Sequence, residues 1–305
     1  MASGEQTGEL GLDKLVTEGR LTQDADYDNL STRELLEVVN REDAIVPAAV
    51  AAAVDELAAA IDAIVERLRG GGRLVYVGAG TSGRLGALDA EECESTFSTE
   101  PGQVTAIVAG ASLGSAAERD AAEDDGEAGA EAVRALGITP GDAVVGVSAS
   151  GRTPFVVGAL EAAAAAGALT VCVVSVPDSE LARIAEHEVS VVVGPEIVAG
   201  STRLKAGTAQ KLVLNSISTL SMIRLGKTYG DLMVDVASTN EKLRARARRA
   251  VSLATGADDD AVDAALAEAG GDAKVAIVSL LGDADAETAR AQLERAGGNI
   301  RRALK

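Results

Sequence analysis

The sequence contains almost no aromatic residues and very little histidine or cysteine. Two Phe, three Tyr and no Trp occur in 305 residues, so the interior must be built from small aliphatic side chains. The single histidine, His187, and the two cysteines, Cys93 and Cys172, lie apart, and no cluster has the spacing of metal ligands. We therefore expect no metal and no other cofactor, and we expect reduced cysteines in a cytoplasmic protein.

Positive charge is also scarce. Twenty-eight Lys and Arg stand against 47 Asp and Glu, which gives a net charge of −19. Such a field repels nucleic acid and anionic lipid, so neither partner is expected. No apolar run reaches the roughly 20 residues needed to span a bilayer, and no basic-then-apolar leader opens the sequence. An anionic substrate would need a local positive potential from helix N-termini and a few basic residues.

The sequence does contain a series of short, β-branched runs separated by helical patterns. Because these runs are apolar throughout, the strands should be buried on both faces, as in a parallel sheet with helices on both sides. The predicted strands are 74–77, 104–108, 143–147, 169–174 and 189–193. The predicted fold class is therefore α/β, with a doubly wound, five-stranded parallel sheet.

Helices are predicted before and after this sheet. Ser31 and Glu34 have the spacing of a capping box, which opens the first helix. Further helical segments are predicted at 48–68, 205–225, 261–269, 273–281 and 286–296. The last three follow a basic stretch. Glycines end helices in this region, and an Asp or Asn follows as the N-cap of the next helix. We therefore predict a catalytic domain over residues 1–245 with leading helices, and a small helical domain over residues 246–305.

A glycine-rich loop follows the first predicted strand. Residues 78–83 (GAGTSG) match the GxGxxG pattern of dinucleotide sites, but the second strand ends without the acidic residue that would hold a ribose. Gly80, Thr81 and Ser82 at a predicted helix N-terminus instead suit a single sugar or phosphate group.

A second polar loop follows the third strand. In residues 148–153 (SASGRT), the hydroxyls of Ser148, Ser150 and Thr153 surround Gly151, which allows close backbone approach to a ligand. An ordinary Ser/Thr-rich helix cap is the alternative interpretation. Open α/β sheets bind ligands at the carboxyl ends of their strands, so two such loops there predict a phosphate site.

The loop at 148–153 resembles the phosphosugar loop of sugar isomerase (SIS) domains, whose hydroxyls hold the substrate 6-phosphate. The chain also resembles the N-acetylmuramic acid 6-phosphate etherases over most of residues 10–245. The segments that carry this resemblance are 15–20, 28–31, 78–93, 123–125 and 194–211. The helical tail fits this family and resembles small ubiquitin-associated (UBA-like) bundles. One departure is Leu21, because the family motif usually continues with Asn after the arginine.

The resemblance implies removal of a D-lactyl ether from C3 of N-acetylmuramic acid 6-phosphate, by elimination and then hydration, in amino-sugar recycling. By matching motifs, Glu92 corresponds to the proton donor and Glu123 to the second catalytic carboxylate. The neighbouring acids Glu91 and Asp124 leave the choice of acid and base open at each position.

The same resemblance implies a homodimer whose sites lie near the subunit interface. Glu196, Arg203 and Lys205 lie in the segment 194–211 and are candidates to contact the sugar or the lactate carboxylate. A polar helix face is the alternative interpretation for these three residues.

Two other functions are compatible with the sequence. An SIS ketose–aldose isomerase would share the phosphate loop and the deprotonation of C2, without losing a group. A non-catalytic sugar-phosphate sensor would resemble glucokinase regulatory protein, which is larger and carries two SIS units. A chain of 305 residues with both glutamates in place favours the enzyme.

Overall fold

Five strands with mostly aliphatic side chains form the central sheet. They are β1 Leu74–Gly78, β2 Val104–Val108, β3 Ala143–Val147, β4 Leu169–Val174 and β5 His187–Ser190. The strand order is β2-β1-β3-β4-β5, and the pairs β1–β3, β3–β4 and β4–β5 are parallel. The predicted doubly wound α/β fold is confirmed.

The last strand differs from its predicted position. It covers His187–Ser190 and not 189–193, because the register pairs Val171 with His187 and Val174 with Ser190. Since β4 ends at Val174, the ladder closes with the Val191 N–H donating to the Val174 carbonyl, and β4 has no further residue to pair with those after Val191. The prediction was wrong because the apolar sequence pattern continues to residue 193, beyond the end of β4.

The computed structural model describes residues 16–22, 26–235 and 241–305. Its helices are α1 Thr32–Asp43, α2 Val46–Ala52, α3 Val54–Arg69, α4 Gly80–Phe97, α5 Ala116–Glu123, α6 Gly126–Ala135, α7 Pro154–Ala165, α8 Glu180–Ile184, α9 Lys205–Arg224, α10 Glu241–Thr255, α11 Asp259–Glu268, α12 Ala273–Gly282, α13 Ala286–Arg295 and α14 Ile300–Ala303. Single 3₁₀ turns cover Val16–Glu18 and Tyr27–Asn29.

The leading helices confirm one prediction and modify another. Ser31 and Glu34 form the expected capping box at the start of α1. The predicted single helix over 48–68 is divided at Ala53, where α2 ends and α3 begins. In the described residues no single helix is long and apolar enough to cross a membrane, and only the bent pair Thr32–Ala52 and Val54–Arg69 meets that test jointly.

The larger compact unit contains residues up to 90 and residues 105–217. One cluster of its core is built mainly from Val, Ala and Leu side chains of the sheet and of α7 together with Phe155, and Tyr76 of β1 is also buried. Two glycines allow α6 and α7 to touch at backbone distance. A Cβ atom at Gly129 would overlap the carbonyl oxygen of Phe155, and one at Gly158 would overlap that of Gly126.

The smaller compact unit contains residues 91–104 and 218–305. Each of the helices α11 to α14 begins with a side-chain cap, and the capping residues are Asp258, Asp272, Asp285 and Asn299. The three predicted tail helices are confirmed. Three features of this unit were not predicted, namely α10, α14 and a short antiparallel hairpin of β6 Thr228–Tyr229 and β7 Leu232–Met233. The UBA-like character and the boundary near residue 245 stay predictions.

Candidate active site

The two polar loops identified in the sequence line one cavity of about 400 Å³. Strands β1 and β3 are neighbours in the sheet, so the loops that follow them meet at the same edge. The predicted binding residues that line the cavity together are Gly80, Thr81, Ser82, Ser148, Ser150 and Thr153. The sequence-based pairing of these loops therefore agrees with their positions in the structure.

The second loop turns its hydroxyl groups towards one another. The Ser148 hydroxyl lies 2.8 Å from the Thr153 Oγ1 and 3.4 Å from the Ser150 Oγ, and it accepts a hydrogen bond from the Gly151 N–H. Gly151 has φ of +66°, and a Cβ atom there would overlap the Ser179 side chain. Gly151 does not line the cavity itself, but it permits the tight turn that gathers the three hydroxyls.

The helix that follows this loop begins without a side-chain cap. Thr153 occupies the N-cap position of α7, yet its hydroxyl pairs with Ser148 and accepts no hydrogen bond from the first helical turn. The N-terminus of α7 therefore contributes its partial positive charge at the loop, where an anion would be stabilised.

Glu123 provides a carboxylate to the lining of this cavity. It is the last residue of α5, and a Cβ atom at Gly80 would lie 2.8 Å from its Oε1, so the carboxylate lies against the glycine loop. Burial raises the pKa of Glu123 above its ordinary value, the charges of Asp120 and Asp124 raise it further, and Arg84 opposes them. A carboxylate with a raised pKa is a better general base than an exposed one.

Two guanidinium groups balance the charge of the cavity. Arg84 and Arg203 both line it, and the Arg84 Nη2 donates a hydrogen bond to the Thr81 hydroxyl at 3.2 Å. Arg203 was one of the three residues predicted from the segment 194–211. The other two, Glu196 and Lys205, do not line this cavity.

Glu196 and Lys205 make contacts within the fold. The Glu196 carboxylate is buried and accepts hydrogen bonds at 3.0 Å from the backbone N–H groups of both Lys205 and Ala206, the first two residues of α9. The Lys205 ammonium is 2% exposed and lies 2.7 Å from the Glu42 carboxylate. In this structure both side chains stabilise the start of α9, and their predicted role in binding stays a prediction.

Glu92 is placed differently from Glu123. It lies on α4 with an exposed side chain, as does the neighbouring Glu91, and neither is among the cavity-lining residues of the described chain. The assignment of Glu92 as proton donor therefore stays a prediction. Of the two predicted catalytic carboxylates, Glu123 lines the same cavity as the phosphate loop and Glu92 does not.

A buried polar network holds the start of α4 against α9. The Tyr76 hydroxyl donates to Asp89 at 2.8 Å, the Asn215 amide donates to the same carboxylate at 2.7 Å, and the Ser82 hydroxyl donates to Gln210 at 2.9 Å. These bonds fix the helix whose first turn carries Thr81 and Ser82. Among the described residues, no group of three or more His, Cys, Asp or Glu side chains is placed to hold a metal ion.

Two cavity-lining segments were not singled out from the sequence as binding residues. Glu18 comes from the 3₁₀ turn before the first helix, and residues 200–202 come from the loop before α9. Both lie inside segments that carry the family resemblance, but no local pattern predicted that they would meet the two strand loops. Their approach depends on the tertiary fold.

Family models of two related domains match the chain. The glucokinase regulatory protein N-terminal SIS domain matches residues 56–164, and the SIS domain matches residues 125–220. Among solved structures, a phosphoheptose isomerase from Francisella tularensis superimposes with a TM-score of 0.51 at 18% identity. That alignment covers 64% of this chain and 100% of the isomerase, and it supports the fold alone.

Curated relatives match nearly the whole chain. An N-acetylmuramic acid 6-phosphate etherase from Streptomyces avermitilis is 55% identical, covering 96% of this chain and 94% of the relative. Another from Rubrobacter xylanophilus is 56% identical, covering 96% of this chain and 97% of the relative. This degree of identity over nearly the full length of both chains is far above what a shared fold alone produces. The chain therefore belongs to the family of N-acetylmuramic acid 6-phosphate etherases.

Proposed function

We propose that this protein cleaves the D-lactyl ether of N-acetylmuramic acid 6-phosphate, giving N-acetylglucosamine 6-phosphate and D-lactate. The observation that carries the proposal is the cavity that is lined both by the hydroxyl loop of Ser148 and Thr153 and by the carboxylate of Glu123, whose pKa is raised by burial. Family membership supports the substrate. The reaction would belong to the recycling of cell-wall amino sugars in the cytoplasm.

The reaction is an elimination followed by hydration, which makes the protein a carbon–oxygen lyase. In the open-chain sugar, the C1 aldehyde acidifies the C2 hydrogen, and Glu123 takes this proton or later activates the water. The C3–O bond then breaks, and the departing lactyl oxygen receives a proton from an acid. Water adds to C3 of the unsaturated aldehyde and a proton returns to C2. Each proton transfer contributes about 10²- to 10⁴-fold to the rate.

The charges of the cavity suit the two anionic ends of this substrate. The 6-phosphate would bind the loop at Ser148–Thr153, where hydroxyl donors and the N-terminus of α7 converge. The lactyl carboxylate would pair with the guanidinium groups of Arg84 and Arg203, whose planar donors match a carboxylate. The carboxylate of Glu123 would then face the carbon atoms between these two ends.

We further propose that the protein is a homodimer in which Glu92 of one protomer protonates the leaving oxygen in the site of the other. This is supported by the exposure of Glu92 and by its absence from the cavity lining within the described chain. A heterodimer purified with two tags, one protomer Glu92→Gln and the other Glu123→Gln, tests it. One intact site should give about half the wild-type activity. An inactive heterodimer would mean that both glutamates act within one chain.

The activity itself is tested by incubating the purified protein with the substrate in heavy-oxygen water. Release of D-lactate with label at C3 of the sugar is expected, and Glu123→Gln should lower the rate by about 10²- to 10⁴-fold. The exposed Glu131→Gln is the matched control and should stay active. Formation of a ketose without lactate would instead indicate an isomerase. Tight phosphosugar binding without turnover would indicate a sensor.

A further inference from the structure

Glu18 is a cavity carboxylate to which the proposed reaction gives no role. It is the last residue of the 3₁₀ turn Val16–Glu18 and lines the same cavity as Ser148 and Glu123. A Cβ atom at Gly200 would lie 2.8 Å from the Glu18 Oε2, and Gly200 has φ of +77°. The carboxylate therefore lies directly against the backbone at Gly200, where a side chain would displace it.

The turn that carries Glu18 is held by groups other than this carboxylate. Thr17 is 2% exposed, and the Gly19 N–H donates to the Val16 carbonyl at 3.2 Å. The backbone at Gly19 packs closely on Pro195, since a Cβ atom there would lie 3.2 Å from the proline Cγ. The position of the turn is thus explained without any bond from Glu18.

The acceptor atoms of Glu18 are unused within the described part of the chain. No N–H or O–H group of the described residues donates to its carboxylate, and no basic side chain there forms an ion pair with it. The carboxylate is half-buried and lines the cavity, so its acceptor atoms are accessible to a donor group of a bound ligand. Bound substrate is the partner that this cavity would admit.

The charge of Glu18 restricts which part of a sugar phosphate it can contact. A carboxylate repels the phosphate and the lactyl carboxylate, and it attracts neutral hydrogen-bond donors. We infer that Glu18 is a specificity-determining residue that accepts a hydrogen bond from a neutral N–H or O–H group of the bound sugar. The identity of the natural sugar rests on the proposed function. The contact itself rests on the position of Glu18 in the shared cavity.

Calorimetric titration of stable sugar phosphates tests this contact without turnover. The probes are N-acetylglucosamine 6-phosphate, which has an N–H at C2, glucose 6-phosphate, which has an O–H there, and 2-deoxyglucose 6-phosphate, which has neither. Glu18→Gln should weaken binding about 10- to 100-fold, since a neutral amide oxygen replaces the charged acceptor of the hydrogen bond. Asp28→Asn is the matched control, because Asp28 is exposed and outside the cavity lining.

The pattern across the probes locates the donor. If the donor is at C2, the variant loses affinity for the first two probes and not for the deoxy sugar. If the donor is elsewhere on the sugar, the variant loses affinity for all three equally. Unchanged or tighter binding of every probe by Glu18→Gln would overturn the inference. Because binding alone is measured, a missing etherase activity would not affect this result.

A purely structural role for Glu18 predicts other results. It would lower the melting temperature of Glu18→Gln, and the folded variant would bind each probe with the same affinity as the Asp28→Asn control. In turnover assays, the inferred contact should appear as a lower kcat/KM in Glu18→Gln. Glu18→Asp, which keeps the charge on a shorter side chain, should recover part of it. Failure of the aspartate to exceed the glutamine variant would also contradict the inference.

Discussion

The helices of the smaller unit and the helix behind the phosphate loop begin in opposite ways. Helices α11 to α14 each start with an Asp or Asn side chain that accepts a hydrogen bond from the first turn. Helix α7 starts at Thr153, whose hydroxyl bonds to Ser148 and leaves the first turn without a side-chain acceptor. In the smaller unit, the chain supplies its own hydrogen-bond acceptor at the start of each of these helices; at the cavity, the corresponding place is left for a ligand.

The carboxylates of the two regions differ in the same way. The Asp285 carboxyl caps α13, and hydrogen bonds from the Thr288 backbone and side chain hold its pKa below the ordinary value. Glu123 caps no helix, and burial raises its pKa. A capping carboxylate is stabilised in its charged form, whereas Glu123 is shifted towards the range in which it can exchange a proton.

Helix α9 begins next to the cavity, as α7 does, but its N-terminus is capped by a carboxylate, as in α11 to α13. Its N-terminus adjoins a cavity-lining loop, yet the Glu196 carboxylate occupies its first two N–H groups. An anionic substrate cannot bind these N–H groups while Glu196 is present. Glu196 therefore acts inside the fold, and the Lys205 side chain pairs with Glu42, although their segment was predicted to reach the substrate.

The sharpest test of the comparison is to give α7 an anionic cap. Thr153→Asp should keep the protein folded, because aspartate is a good N-cap residue. It should weaken phosphosugar binding by about 10²- to 10³-fold, because like charges in such a site cost several kcal/mol. Calorimetry with N-acetylglucosamine 6-phosphate measures the loss, with Thr153→Ser as the control. Retention of wild-type affinity in the aspartate variant would show that the phosphate binds elsewhere.

Removing the carboxylate charge at α9 should affect stability. Glu196→Gln keeps the shape but replaces one of the two accepting oxygens with an NH2 group, so one buried N–H group at the start of α9 loses its acceptor. The substitution should cost about 2–3 kcal/mol of unfolding free energy. Urea unfolding measures this value. Glu127→Gln removes one partner of an exposed pair with Arg134 and should cost less than about 1 kcal/mol. Equal losses in the two variants would contradict the capping role.

A cap of the smaller unit should matter less. Asp272→Ala removes the side-chain acceptor of the Val275 N–H at the start of α12, which should cost about 1 kcal/mol. Thermal unfolding is the measurement. Glu268→Ala, at the exposed end of the preceding helix, should leave the melting temperature close to that of the wild type. Sugar-phosphate affinity should be unchanged in both variants.

The smallest expected effect concerns pH. A base must be deprotonated, so kcat/KM should rise with pH through the raised pKa of Glu123. Asp120→Asn removes one nearby negative charge that helps to raise this pKa, although burial has the larger influence. The acidic limb of the pH profile should therefore move to lower pH. A shift to higher pH would mean that the limb belongs to another group.

Much of the fold could be predicted because its signals are local. Continuous apolar runs gave β2, β3 and β4 with correct bounds, and the cap residues gave the tail helices. The predictions were wrong where tertiary pairing decides the outcome. The fifth strand ends where β4 ends, and the helix over 48–68 divides at Ala53 in an alanine-rich stretch that carries no local break signal.

The candidate site shows the same limit. The hydroxyl loops could be predicted because each follows a strand and carries its chemistry within six residues. Glu18 and Gly200 could not be paired, since a glycine covered by a distant carboxylate looks like any loop glycine in sequence. Family resemblance identified Glu123, but only the fold places its carboxylate against Gly80 and its pKa above the ordinary value.

The glycine contact between α6 and α7 sets a length scale for the substrate. Glu123 precedes α6 by three residues and the hydroxyl loop directly precedes α7, while Gly129 and Gly158 hold these helices together through backbone atoms. Backbone contacts offer no alternative rotamers, so they restrict the distance between the backbone that carries Glu123 and the phosphate loop. A sugar phosphate with one carbon more or fewer would place a different carbon atom opposite Glu123. Chain length, and not only the identity of its functional groups, would then select the substrate.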